Sequence, residues 1–178
     1  ETVTVVCLER NYFRIISSAA TRERDKFHIN KNLTTNIELT DVTDKYCVFG
    51  LFGPKSRELI SSISKEDFSN KNFKFATGKK IKINNVETWV QRLSYVGELG
   101  YEIYVEFDNA VEIYGLLINE GKKYNISNCG MHSLDIMRME NGFLHWGHDI
   151  SPEENQYQAG LEFAISFKKN VDLSLIHI

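Results

Sequence analysis

The sequence predicts an α+β fold with mixed or antiparallel sheets and packed helices, on two observations. β-branched and aromatic runs come in pairs split by short polar breaks, as hairpins do, and the amphipathic helical segments occur singly instead of alternating strictly with strands. A doubly wound parallel sheet would need that alternation.

The first pair of runs is Val3–Leu8 and Tyr12–Ser17, broken by Glu9-Arg10-Asn11. A helix is expected over Ala19–Leu33, where Ala20, Phe27, Ile29 and Leu33 recur among charges at helical spacing. Strands follow at Ile37–Val42 and Tyr46–Phe52. Gly53-Pro54 closes the second of these and opens a helix over Lys55–Ile63, because proline's fixed φ suits a first helical turn. Lys79–Ile83 and Val86–Leu93 flank Asn84-Asn85, a pair that tolerates positive φ and so reads as a second hairpin. A strand over Tyr101–Val105 leads to a helix from Ala110 to Asn119, with Asp108 as its cap, Val111, Tyr114, Leu117 and Ile118 as its apolar face, and Gly121 as its stop. The last helix spans Met131–Asn141, starts at His132 or Ser133, and ends at Gly142.

Composition narrows the function. Of 178 residues, 42% are hydrophobic and 25% charged, which suffices for a substantial core. Twenty-one Lys and Arg are scattered among 24 Asp and Glu, giving a net charge of −3 and no basic patch for nucleic acid. No apolar run approaches the roughly 20 residues that cross a bilayer, so no membrane partner is expected. Cys7, Cys47 and Cys129 are odd in number and widely spaced, and are read as buried reduced thiols. The chain opens without Met or a signal-peptide layout, which reads as an internal segment.

Arg92–Val105, RLSYVGELGYEIYV, is the most informative stretch. Strand alternation over Tyr101–Val105 places Glu102 and Tyr104 on one face and Tyr101, Ile103 and Val105 on the other. Glu102 is then a carboxylate in an apolar strand, either solvated at an edge or matched by a donor pair such as the ring N–H and exocyclic amine of a pterin. Glu98, in the turn, faces water or caps an amide. Asp135 and Arg138 are spaced for an ion pair, either an ordinary surface pair or one orienting a site. Two histidines and an aspartate in His145–Asp149 match no zinc spacing, so no metal is assigned, and Trp146 serves as a stacking wall for a flat ligand or as core. No phosphate-binding glycine loop or nucleophile elbow occurs.

GLFGPKSRELI (Gly50–Ile60), RLSYVGELGYEIYV, HSLDIMRMENGFLHWGHDIS (His132–Ser151) and QAGLEFAI (Gln158–Ile165) together resemble the folate-binding domain of the aminomethyltransferase, or glycine cleavage T-protein, family. WGHDIS, the acidic stretch after it and AGL resemble in particular the folate domains fused behind the flavin domain of dimethylglycine and sarcosine dehydrogenases. The resemblance implies tetrahydrofolate as the acceptor of a one-carbon unit from a small amine-derived donor, and leaves open a stand-alone aminomethyltransferase, a folate-dependent demethylase and a non-catalytic folate-binding module. It implies FAD only in a domain upstream of this chain, and a cytoplasmic or mitochondrial-matrix location. By motif position, Glu102 matches the glutamate that holds the pterin, Tyr95 a tyrosine of the same pocket, Arg138 the arginine of the site, and Trp146 an aromatic beside it. On this reading residues 1–172 form a partial domain, allowing two intimate subdomains. The family's catalytic aspartate belongs at or before the start of this chain, where only Glu1 stands near, and 173–178 read as a foreign or truncated tail.

Overall fold

The computed structural model describes residues 3–165. Two units emerge from it, one spanning Thr2–Phe143 and one containing Leu144 onward.

In the larger unit a two-stranded antiparallel hairpin, β1 (Thr4–Glu9) and β2 (Tyr12–Ile16), precedes helix α1 (Arg22–Asn32). Among its described residues α1 has no fully buried side chain; Phe27 is exposed, against the apolar stripe the sequence predicts. Ion pairs anchor it instead: Arg22 reaches Asp41 at 2.9 Å and Asp44 at 2.8 Å. Those bonds lower both carboxyls, Asp41 well below the ordinary carboxylate range, and push the guanidinium higher still.

The strand expected at Ile37–Val42 does not form. Asp41 accepts hydrogen bonds from the Thr43 amide at 3.0 Å and hydroxyl at 2.7 Å, a local side-chain turn that leads into a short 3-10 turn, Thr43–Lys45. The local side-chain bond wins over strand pairing.

Four antiparallel strands, β3 (Tyr46–Phe52), β4 (Gly78–Ile83), β5 (Val86–Gln91) and β6 (Gly100–Glu106), form a sheet in the order β3-β6-β5-β4. Asn84 and Asn85 at the β4-β5 turn both have positive φ, 46° and 70°, as a tight two-residue hairpin requires. Helices α2 (Ser56–Ile63) and α3 (Ala110–Gly121) pack on one sheet face. The core there gathers Leu59 and Ile60 of α2, Ile113 and Leu117 of α3, and Tyr101, Ile103 and Val105 of β6. Phe68, Phe73 and Tyr101 form an aromatic cluster with centroids 5.5 to 5.8 Å apart.

The buried face of α3 is Ala110, Ile113, Leu117 and Gly121, so of the expected stripe only Leu117 is in the core, while Val111 and Tyr114 are exposed. The shift follows from the start of the helix. Asp108 lies within a 3-10 turn, Phe107–Asn109, and Asn109 takes the cap position without a side-chain bond. Asn125 ends the following turn at φ 59°. Helix α4 (Met131–Glu140) starts after Gly130, earlier than His132 or Ser133, and stops at Gly142, φ 71°. All three cysteines are free, as expected, but Cys7 and Cys129 are exposed and Cys47 is half-buried. No helix is long and apolar enough to cross a membrane among the described residues. The residue 173–178 tail lies outside them.

In the smaller unit Trp146 bridges Ile150, the Gly147 amide donates to the Ile150 carbonyl at 2.7 Å, and Asp149 accepts from the His145 amide at 2.8 Å. These bonds make HWGHDI one tight turn.

The α3 register is open to a denaturation test. Ile113→Ala should cost about 2–5 kcal/mol in urea unfolding through cavity formation. Val111→Ala should stay within about 0.5 kcal/mol; equal losses would return the buried face to the one predicted from sequence.

Candidate functional site

The sheet has a second face, turned away from α2 and α3. Antiparallel register sets Gln91 of β5 and Gly50 of β3 on either side of Glu102, and Trp89 and Val48 on either side of Tyr104. Alternation therefore sends these residues to one side while Tyr101, Ile103 and Val105 enter the core. The sequence-derived facing of Glu102 is thus observed.

Glu102 is half-buried and one of its oxygens is fully engaged. The Tyr104 hydroxyl donates to Oε2 at 2.7 Å, and Gln91 Nε2 donates to the same oxygen at 3.2 Å and to the Tyr104 hydroxyl at 3.1 Å. Trp89 Nε1 donates to Gln91 Oε1 at 3.1 Å, which fixes the amide with its NH2 toward the carboxylate. Among the described residues no side chain or amide donates to Oε1. Gly50, directly across from Glu102, places no side chain beside the carboxylate; a Cβ there would meet only the Phe52 ring. The result is a buttressed carboxylate with one acceptor oxygen left for a donor.

Tyr104 is buried, and burial foremost, then the bond to the Glu102 carboxylate, pushes its hydroxyl well above the ordinary tyrosine value. It is a proton donor to Glu102 throughout the physiological range.

Tyr95 is exposed on the loop that joins β5 to β6. Asn141, at the end of α4, clamps that loop by donating Nδ2 to the Val96 carbonyl at 2.9 Å. Gly97, at φ 77°, makes the approach possible: a Cβ would come within 2.6 Å of the Asn141 side chain. Glu98 is exposed, in line with its expected place in water.

Arg138 is 1% exposed, so its bond to Asp135 is no surface pair. Nε and Nη2 approach Asp135 Oδ1 at 2.6 Å, and Nη1 donates to the Phe143 carbonyl at 2.7 Å. The guanidinium thereby ties off the C-terminal end of α4. Arg138 and the Tyr95 loop are brought to the same helix end through Asn141. Trp146 is half-buried in the smaller unit. The His145 and His148 rings stack there with centroids 5.7 Å apart, and no metal-competent cluster of His, Cys, Asp or Glu occurs among the described residues.

Gln91, Tyr104 and Gly50 complete the Glu102 site and were not singled out as its partners in the sequence. Gln91 is a lone amide closing an otherwise strand-like run, a polar oddity that marks such partners, but only the register identifies what it meets.

The model of the GCVT N-terminal domain matches residues 1–169. The chain belongs to this family. It is 36% identical over 94% of its length to 4-methylaminobutanoate oxidase (formaldehyde-forming) of Paenarthrobacter nicotinovorans, covering 20% of that protein. It is 33% identical over 77% of its length to mitochondrial dimethylglycine dehydrogenase of Homo sapiens, covering 16%. With an aminomethyltransferase of Caldanaerobacter subterraneus the figures are 32% identity, 89% of this chain and 42% of that protein. The chain thus spans less than half the length of each of these relatives. Among solved structures, heterotetrameric sarcosine oxidase from Corynebacterium sp. U-96 superposes with a TM-score of 0.54 at 14% identity, over 72% of this chain and 64% of that one. At that identity the likeness shows the α+β fold alone.

The Glu102–Tyr104 bond has a titration signature. In Glu102→Gln the carboxylate charge is gone, so Tyr104 should deprotonate at lower pH than in the parent, still above an exposed tyrosine because burial remains; tyrosine-labelled NMR reads this. Because the folded-state pKa is raised above the ordinary 10.0, the stabilisation from the neutral phenol is complete below pH 10 and is lost as pH rises beyond it. An unmoved Tyr104 titration in the variant would refute the carboxylate as its partner.

Proposed function

We propose that this GCVT domain binds tetrahydrofolate through Glu102 and serves one-carbon transfer from an amine-derived donor. The observation that carries the reading is the half-satisfied carboxylate. Oε2 is saturated by Tyr104 and Gln91, while Oε1 has no donor among the described residues. A pterin's ring N–H and exocyclic amine form a planar donor pair that suits such an acceptor. These features fit the group.

In this reading Glu102 holds and orients the pterin, and Gln91 and Tyr104 fix the carboxylate so that little ordering remains to be done on binding. Tyr95 borders the pocket from its clamped loop. Arg138 acts as a positioning residue through α4, and the family resemblance gives Trp146 a stacking role within its own unit. When bound, tetrahydrofolate supplies N5 as the one-carbon acceptor; the chain's own contribution is to orient and desolvate it. The dehydrogenase and oxidase relatives support coupling to amine oxidation, with FAD in a domain beyond this chain, and a cytoplasmic or mitochondrial-matrix setting.

A stand-alone aminomethyltransferase arrangement is the second reading, supported by the relative of that name. The presence or absence of a flavin domain in the full reading frame separates the two.

Glu102→Ala should weaken tetrahydrofolate binding on the order of tenfold or more, the loss expected for charge-assisted hydrogen bonds. Calorimetry or the ligand-induced rise in melting temperature measures it. Equal affinity in the two proteins would remove Glu102 from the site.

A further inference from the structure

Arg14, on β2, sits over the same sheet face. Its guanidinium carbon lies 5.1 Å from the Tyr46 ring centroid, 5.7 Å from Tyr104 and 5.8 Å from Trp89. Three aromatic rings thus cage one delocalised, weakly hydrated cation. Ring faces attract the charge but do not accept its N–H bonds in the plane of the guanidinium. Arg14 makes no hydrogen bond and no ion pair among the described residues, and its Nη1 is buried without a partner. A desolvated charged donor left in this state is costly, so a built-in acceptor would normally be present.

The neighbouring charges cannot supply it. Arg14 lines a cavity of about 260 Å³ together with Arg22, Lys26, Asp41, Tyr46 and Tyr104. Asp41 is taken by Arg22 at 2.9 Å and by Lys26 at 3.6 Å, and Asp44 by Arg22. Asp25 accepts from the Thr21 hydroxyl at 2.6 Å. Glu102 is committed through Oε2 to Tyr104 and Gln91. None of these carboxylates is paired with Arg14, whose charge has no counter-ion among the described residues.

We infer that Arg14 is an anion subsite that receives the carboxylate of a small organic ligand in this cavity. A planar carboxylate matches the guanidinium fork in two parallel bonds, and the surrounding rings exclude water from the pair. Two classes of ligand carry such a group: an N-methylated amino acid, and the glutamyl end of a folate. The inference stands apart from the Glu102 reading, since it concerns the carboxylate end of a ligand and not a pterin.

The test uses matched ligands on the full chain. 4-Methylaminobutanoate is compared with its carboxamide, and a reduced folate with its diamide, in which both glutamyl carboxylates are carboxamides. Affinity is measured by calorimetry, and Arg14 is observed directly by NMR of labelled arginine side chains. In one of the two pairs the acid should bind on the order of tenfold more tightly than its partner and shift the Arg14 signals. Arg14→Gln should abolish that preference, and Arg14→Lys should retain part of it. The pair that responds identifies the source of the carboxylate. Absence of any preference in both pairs overturns the inference, as does a preference that survives in Arg14→Gln. Binding of the folate diamide to Arg14→Gln reports the pterin site alone, so loss of the Glu102 reading would be seen separately.

Discussion

The placement of β6 between β3 and β5 is the constraint on which the rest depends. Because side chains alternate along a strand, one register sends Tyr101, Ile103 and Val105 into the core with α2 and α3 and turns Glu102 and Tyr104 to the opposite face. A slip of one residue would bury the carboxylate and expose Ile103. The hydrophobic core therefore fixes the site, and the energy that folds the sheet is the energy that aims Glu102.

On that face the polar groups form a directed chain. Trp89 donates to Gln91, Gln91 to Glu102, and Tyr104 to Glu102, so each donor is used and the charge concentrates on a carboxylate with one oxygen still accepting. Preorganisation of this kind lowers the ordering cost of binding. The nearby Arg14 shows the converse condition, a cation held by rings with its hydrogen-bonding capacity unspent. One sheet face thus carries an acceptor and a donor, each incomplete within the described residues.

Much of this was legible in the sequence, for identifiable reasons. The Asn84-Asn85 turn, the β3 and β6 strands and the facing of Glu102 follow from local rules of turn chemistry and period-two alternation, and these held. The failures came where a longer-range or competing bond decides. Ile37–Val42 reads as a strand until Asp41 is seen to accept from the Thr43 amide and pair with Arg22. The α3 stripe was rotated because its start depends on the 3-10 turn at Phe107–Asn109. Gln91 and Gly50 became partners of Glu102 only through cross-strand register, and the Arg14 cage needs a hairpin and a sheet from distant parts of the chain, which no local pattern announces. The burial of Arg138 was likewise beyond the i,i+3 spacing that foretold its bond to Asp135.

The most direct measurement of the central claim is a crystal structure of the chain with a reduced folate bound. The pterin's exocyclic amine or ring N–H should lie within about 3 Å of Glu102, with Tyr104 and Gln91 still bonded to Oε2. A pterin seated elsewhere, with Glu102 Oε1 facing only solvent, would contradict it.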